Sequence, residues 1–245
     1  MDIEKEIIKI KSYIEIENLM SRYMHYHSCF RDDLILSQLW AMDREDITLE
    51  DGASGVFKGS EHIRAYYTGR PNPPGKFIFH SIHTPVIEIA DDCMTAKGVW
   101  MLSGVESGMV PDDVKNLPED MFCKNKVDGK RVWAHWCWSK YGIDFINEDG
   151  KWKIWHFHCY ALTRTPFDTN WVEFAAKQTL ARHGKPTDPN APKLKFIGDN
   201  GIPVFFPQPD EPTTFHWDYD GLTSRVVLQP VPPEPYDTFE NTFKY

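Results

Sequence analysis

The sequence predicts an α+β fold, and three observations carry the prediction. Helical periodicity is concentrated at the start of the chain. Four long stretches beginning near residue 77 alternate with period two. Two of the joins between those stretches, ADDC and NEDGK, are short and turn-like. Helices first and then a run of antiparallel strands is the α+β order.

Taken in order, the first thirty residues form an amphipathic helix. Ile7, Ile10, Ile14, Leu19, Tyr23 and Tyr26 recur at spacings of three to five, so their face is expected to look toward a sheet. A second short helix runs from about Asp32 to Ala41, opened by two acidic residues that suit a helix N-terminus. The segment ITLEDGASGVFKG reads as two short extended pieces around an Asp-Gly turn, and Ser60 caps a third helix through Tyr67. The four long strands follow: FIFHSIHTPVIEIA, TAKGVWMLSGV, RVWAHWCWSKYGIDFI and KWKIWHFHCYAL. The join from Glu106 to Lys130 is much longer than a hairpin needs. One more helix is expected over roughly Asn170–His183.

Composition narrows the function. Hydrophobic residues make up 41% of the 245, enough for a core, and 27 Lys and Arg against 36 Asp and Glu leave a net charge of −9. An acidic chain without a basic run is a poor ligand for nucleic acid or an anionic membrane. There is no apolar run long enough for a membrane span and no secretory leader pattern, so the protein is expected in the cytoplasm. The five cysteines (29, 93, 123, 137 and 159) are odd in number and form no CxxC pair, which suits reduced thiols. Twelve of the 18 prolines lie in the last 80 residues, together with many Phe, Trp and Tyr. A disordered tail usually lacks such aromatics, so residues 166–245 are expected to form an ordered, irregular arm beside a domain of residues 1–165.

Alternation assigns faces. In the last strand Lys151 and Lys153 mark the water side, which places Trp152, Ile154, His156, His158 and Tyr160 together on the other. In the strand before it, Lys140 and Asp144 mark the outside, so His135, Cys137, Ser139, Tyr141, Ile143 and Phe145 point inward. In the first long strand Ile87, Ile89 and His83 point inward, and His80 does so only if a bulge intervenes between Ser81 and Thr84. On the first helix Tyr23 and His27 are four apart and share a face, with Tyr26 beside them. Imidazoles, a thiol and hydroxyls among aromatic residues describe a small-molecule pocket. The structural alternative is a set of histidines packed in a core. The pairs H-x-x-H and H-x-H lack an inward carboxylate or cysteine partner in register, so a metal site is not expected.

Five motifs recur together: Arg22-Tyr23 at the end of a helix, GVFKGSEHIRAYY, HSIHTPVIEI, TAKGVW and DGKWKI. In this order they resemble the SnoaL-like, nuclear-transport-factor-2-like superfamily, and within it the bile-acid and scytalone dehydratase branches. The resemblance spans roughly residues 5 to 165. It implies a cone-shaped, curved antiparallel sheet packed on the N-terminal helices around an apolar pocket. It also implies His80 as general base, Tyr23 as hydrogen-bond donor or acid, and members that form dimers or trimers. The family aspartate falls on Ser28 here, followed by Cys29, while Asp32 and Asp33 come a turn later. Gly104 stands nearest the family's second polar position, and Glu106 lies two residues beyond. Ser139 and Tyr141 fall where scytalone dehydratase keeps hydrogen-bonding residues.

The expected function is a cofactor-independent lyase, a dehydratase of a hydrophobic cyclic or aromatic hydroxy-carbonyl compound. The expected catalytic set is His80, Tyr23 and a carboxylate, Asp33 or Glu106. His83, His27, Tyr26, His135, Ser139, Tyr141, His156, His158 and Trp100 are expected around the substrate. Such chemistry needs a base that titrates near neutrality, a donor for the enolate oxygen and an acid for the leaving hydroxyl. There is no dinucleotide or phosphate-loop motif. Isomerisation with the same residues, a non-catalytic binding module and a metal-dependent enzyme remain as alternatives.

Overall fold

The computed structural model describes residues 2–52, 55–68, 72, 75–110, 122–177, 195–197, 203–205, 209–214 and 225–241. Helix α1 (Ile3–Ser28) starts at Asp2, whose carboxylate accepts the Lys5 amide, and Glu4 and Glu6 occupy its first turn. The short α2 (Asp32–Leu34) continues as a π-helical turn, Ile35–Leu39. Strands β1 (Thr48–Asp51) and β2 (Gly55–Lys58) precede α3 (Gly59–Thr68). The long strands are β3 (Phe77–Ile89), β4 (Thr95–Val110), β5 (Arg131–Glu148) and β6 (Lys151–Pro166). Helix α4 covers Trp171–Lys177, and the rest of the helix expected to His183 lies outside the described residues. A two-stranded ribbon, β7 (Lys195–Ile197) with β8 (Pro203–Phe205), follows in the arm.

The main sheet has the order β2-β1-β6-β5-β4-β3 and is curved and open. It is mixed rather than wholly antiparallel, because β1 runs parallel to β6, with Leu49 opposite Phe157. The long join is shorter than the sequence suggests. Strand β4 keeps pairing to Val110 opposite Arg131, which leaves only residues 111–130 between the strands. Within the described part of that join, Val127 and Lys130 close a turn.

Helix α1 lies in the concave side of the sheet with Ile16, Leu19, Met20, Tyr23, Met24 and His27 buried. The stripe expected from the sequence is only half right. Leu19 and Tyr23 are in the core, but Ile7, Ile10 and Ile14 are exposed. The helix carries two apolar stripes, and below Ser12 it is tied to the body through Lys5 and Lys9, which both pair with Asp91. The hydrogen bonds from Lys9 and Lys5 hold the Asp91 carboxyl down at about 2.

Two β-bulges correct the face assignment of β6. Asp144 pairs with His156 and Phe145 with Ile154, so Trp155 is an extra residue and the alternation slips by one. Trp152 and Ile154 stay on the inner face, but beyond the bulge that face is taken by Phe157 and Cys159. His156 and His158 therefore point outward, contrary to expectation. A second extra residue, Leu162, restores the phase so that Arg164 points inward opposite Cys137.

The arm covers the outer face and one edge. Residues 209–214 pair with the free edge of β2 through Val56 and Glu211, protecting an otherwise open strand. Gly55 has φ +113°, and a Cβ there would come within 2.7 Å of the Glu211 carbonyl oxygen, so the arm lies directly on this glycine. Farther on, the Asp91 amide donates to the Tyr236 carbonyl at 2.9 Å, Lys140 donates to the Val227 carbonyl at 3.0 Å, and Phe239 packs on Trp155 at 4.6 Å. This cover explains why Asp144, on the outer face, is fully buried rather than a solvent marker. His156 Nδ1 lies 2.9 Å from it.

The second outward histidine is equally enclosed. His158 Nδ1 is 3.3 Å from the buried Glu50 carboxylate, which accepts the hydroxyls of Thr213 and Thr214 at 2.8 and 2.9 Å and also the Thr214 amide. Burial, helped by the nearby charges of His156 and Lys97, pushes the His158 imidazole down to about 3. It is therefore neutral and donates to Glu50. An unfolded histidine titrates near ~6.5, so the unfolded chain holds the extra proton between that pH and about 3. Stability should fall as pH drops below ~6.5, with a slope from this group of up to ~1.4 kcal/mol per pH unit. Denaturant titrations at several pH values will show it, and His158→Gln should flatten the curve; an unchanged slope in that variant refutes the assignment.

Candidate active site

The inner faces of β3, β4, β5 and β6 bring a group of polar side chains together beneath α1. His80 reaches this face because of a bulge between His83 and Val86, where Thr84 adopts φ 52°. The same irregularity turns His83 outward and leaves it exposed, which reverses the parity reading for that residue. The half-buried His80 ring packs against His27 of α1 with centroids 5.3 Å apart.

Opposite His80 in β4 is Gly104. The position needs glycine for a reason of space. A Cβ would press into the His80 ring and sit 2.6 Å from the Phe79 carbonyl oxygen and 2.9 Å from His80 Cα. Two of those neighbours are backbone atoms and cannot turn aside. The strand thus carries no side chain at this point, and the imidazole lies across it. Gly104→Ala should displace His80 and lower turnover by about 10²-fold, the usual result of ~1 Å misplacement. Unaltered kinetics in a folded variant would show that the ring is not held this way.

Glu106, two residues along β4, supplies the buried carboxylate. Its Oε1 accepts from Arg164 Nε at 2.5 Å and from the Cys137 thiol at 2.9 Å. Burial opposes its charge, but the Arg164 guanidinium, the Cys137 hydrogen bond and the imidazoles of His80 and His135 outweigh it. They hold the carboxyl below its ordinary range. Burial and the Glu106 charge push the Cys137 thiol far up, so it stays protonated, a hydrogen-bond donor and not a nucleophile. Arg164 keeps 44% of its side-chain surface open although Glu106, Cys137, Asp51, Tyr66 and the Trp133 ring surround it. A cation placed in this way is fixed by protein on several sides and reachable by a ligand from one.

His80, Glu106 and Cys137 offer ligand atoms that all lie within 4.8 Å of one another. The sheet thus gives His80 the inward carboxylate and thiol partners that the sequence pattern was expected to lack, while Arg164 Nε occupies Glu106 Oε1.

The aromatic part of the site comes from α1, α3 and the sheet. The Tyr23 and Tyr67 hydroxyls are 2.9 Å apart, and the Tyr23 ring stacks on Phe157 at 5.2 Å and near His27 at 6.0 Å. Tyr66 donates to Asp51 at 2.7 Å. His135 lies buried opposite Glu106, and Ser139 lies on the same inner row of β5. Tyr141 and Trp100 belong to the apolar core, packed on Phe157 and Phe145 respectively. Tyr26 turns aside, its hydroxyl donating to Gln38 at 3.0 Å.

Asp33 does not join the group. Its side chain is 62% exposed and is held by Arg31 in a two-pronged pair at 2.7 and 2.8 Å, so the surface ion pair and solvent account for it. Sequence reasoning missed Arg164 and Asp51. Arg164 follows the second bulge, where simple alternation had already lost phase, and Asp51 sits in a strand read only as a turn flank. The one available signal was that the strand-like composition continues past Leu162 through Thr163, Arg164 and Thr165.

No curated protein matches the chain by sequence. Several solved structures share its architecture at low identity. The LinA-type3 hexachlorocyclohexane dehydrochlorinase from Novosphingobium barchaimii LL02 is 15% identical, with 68% of this chain and 97% of that chain covered and a TM-score of 0.48. A LinA Type2 hexachlorocyclohexane dehydrochlorinase is 14% identical, with 66% and 93% covered and a TM-score of 0.48. A scytalone dehydratase candidate from Novosphingobium aromaticivorans DSM 12444 is 12% identical, with 66% and 91% covered and a TM-score of 0.46. Likeness at this level says nothing of chemistry. The family model for the SnoaL-like domain matches residues 9–158, more than half of the chain, and the protein therefore belongs to the SnoaL-like domain family.

Proposed function

We propose that the protein is a cofactor-independent lyase, a dehydratase acting on a hydrophobic cyclic or aromatic hydroxy-carbonyl small molecule. The observation that carries this reading is the half-buried His80 beside an ion pair, Glu106 with Arg164, on an inner face otherwise lined with aromatic rings. His80 takes the proton from the carbon next to the carbonyl. The electron pair moves into the enolate, whose negative oxygen is stabilised by Arg164, and its return expels the hydroxyl group. That group leaves as water, with its proton supplied by Tyr23 or by the His80 imidazolium. Glu106 takes the supporting place considered for Asp33, since its charge anchors Arg164 and favours the protonated form of His80. His27, His135 and Ser139 border the substrate. Residues 1–165 form the catalytic unit, and the arm of residues 166–245 tunes specificity.

The protein is proposed to work in the cytoplasm as a homo-oligomer, a dimer or trimer. The five unbridged cysteines suit a reducing compartment. Among the described residues no helix is long and apolar enough to cross a membrane.

Isomerisation in the same pocket is the second reading. It is favoured by Ser28 standing where the related dehydratases keep an aspartate, so that fewer acids are at hand for a leaving hydroxyl. Identification of the co-purified small molecule by mass spectrometry, then incubation in deuterated, chelator-treated buffer, separates these readings. Loss of one water supports the dehydratase, and deuterium uptake without loss of water supports the isomerase. An unchanged ligand indicates a binding module, and activity that returns only on adding metal overturns the cofactor-free mechanism.

A further inference from the structure

The N-terminal half of α1 carries a row of exposed side chains. Ile3, Ile7, Ile10 and Ile14 are 70%, 61%, 62% and 54% exposed, on a helix whose other face is tied to the body by Lys5, Lys9, Ser12 and Ile16. At about 100° per residue, the row faces away from the sheet. Its spacing, four then three then four, is the a/d pattern of a coiled-coil seam, with Ile7 and Ile14 at a and Ile3 and Ile10 at d. Scattered surface apolar residues need no explanation, but four isoleucines in register on one stripe do. Ile7, Ile10 and Ile14 also line one shallow depression, bordered by Lys11 and Glu15.

We propose that this stripe is the seam of an antiparallel helix pair formed with a second copy of this chain. The charges beside the seam argue for that occupant and that direction. Antiparallel packing through a two-fold axis sets Ile7 against the partner's Ile10 and Ile3 against the partner's Ile14, so all four isoleucines are used. It also sets Glu4 beside the partner's Lys11, and by symmetry Lys11 beside the partner's Glu4. Glu17, the next d position, falls beside the positive N-terminal end of the partner's helix. A parallel pair would instead stack Glu17 on the partner's Glu17 across the axis, burying two like charges. The seam lies apart from the polar group of His80, Glu106 and Arg164, so it does not depend on the chemistry assigned there.

Sedimentation or light scattering of the full chain at micromolar concentration tests the proposal, together with circular dichroism to confirm that each variant folds. The wild type should weigh twice 28.5 kDa, and Ile7→Glu with Ile10→Glu should weigh 28.5 kDa while keeping the wild-type ligand affinity. Lys11→Glu should weaken association by roughly tenfold or more, and adding Glu4→Lys to it in the same chain should restore the dimer. A monomeric wild type, or a double isoleucine variant that stays associated, overturns the seam. Failure of Glu4→Lys to rescue Lys11→Glu overturns the antiparallel arrangement, since a parallel pair would leave the new carboxylate at position 11 facing the partner's Glu6.

Discussion

Replacing His80 by alanine should reduce turnover by ~10²–10⁴-fold, the span usually lost when a general base is removed, with little change in the thermal midpoint. Among the described residues His80 is the inner-face histidine that is half-buried rather than buried, and its ring lies across Gly104, where no side chain competes for the space. His27 and His135, by contrast, are buried, and His83 faces solvent. His27→Ala should therefore cost less, chiefly through the tilted ring contact that orients His80. Steady-state kinetics on the dehydration substrate will separate the two. If His80→Ala retains wild-type kcat/KM, the base lies elsewhere and the proposed mechanism fails.

Phe157→Ala should give the largest loss of stability among single substitutions on the inner face. The ring centroid lies 5.2 Å from that of Tyr23, 4.8 Å from that of Tyr141 and 6.3 Å from that of Trp40, so Phe157 joins α1, the segment after α2 and the sheet. Removing a buried phenylalanine costs about 3–5 kcal/mol, through lost burial and the cavity left behind. For a chain of this size each kcal/mol lowers the thermal midpoint by roughly 2–4 °C. His156→Ala, on the outer face under Phe239, should cost less, because the bulge at Trp155 turns it away from the inner face. Equal losses at both positions, measured by denaturant unfolding, would mean that β6 alternates without interruption.

The comparison of these two residues shows what could be read from the residues alone. The order of helices and strands was legible because each depends on local periodicity: α3 appears within one or two residues of the segment opened by Ser60, and the four long strands lie where the alternation begins. His135, Cys137, Ser139, Tyr141, Ile143 and Phe145 were placed on one face correctly because β5 gains no extra residue. His80 was reached through the family motif and not through parity. The bulge at Thr84 that turns it inward depends on how β3 matches β4, and nothing inside either strand declares it.

By itself, then, the sequence determined the α+β order, the SnoaL-like unit, and the presence of histidine, tyrosine and carboxylate in strands that could face one another. Only the tertiary structure decided which of them meet. Single extra residues at Thr84, Trp155 and Leu162 switch whole strand segments between faces, bringing His80 and Arg164 in and sending His83, His156 and His158 out. Whether such a residue bulges is settled by register against the neighbouring strand, an interaction between distant parts of the chain. The same distinction holds for α1. Its periodicity announces apolar stripes, but the body to which one is bound, leaving Ile3, Ile7, Ile10 and Ile14 in water, exists only after folding.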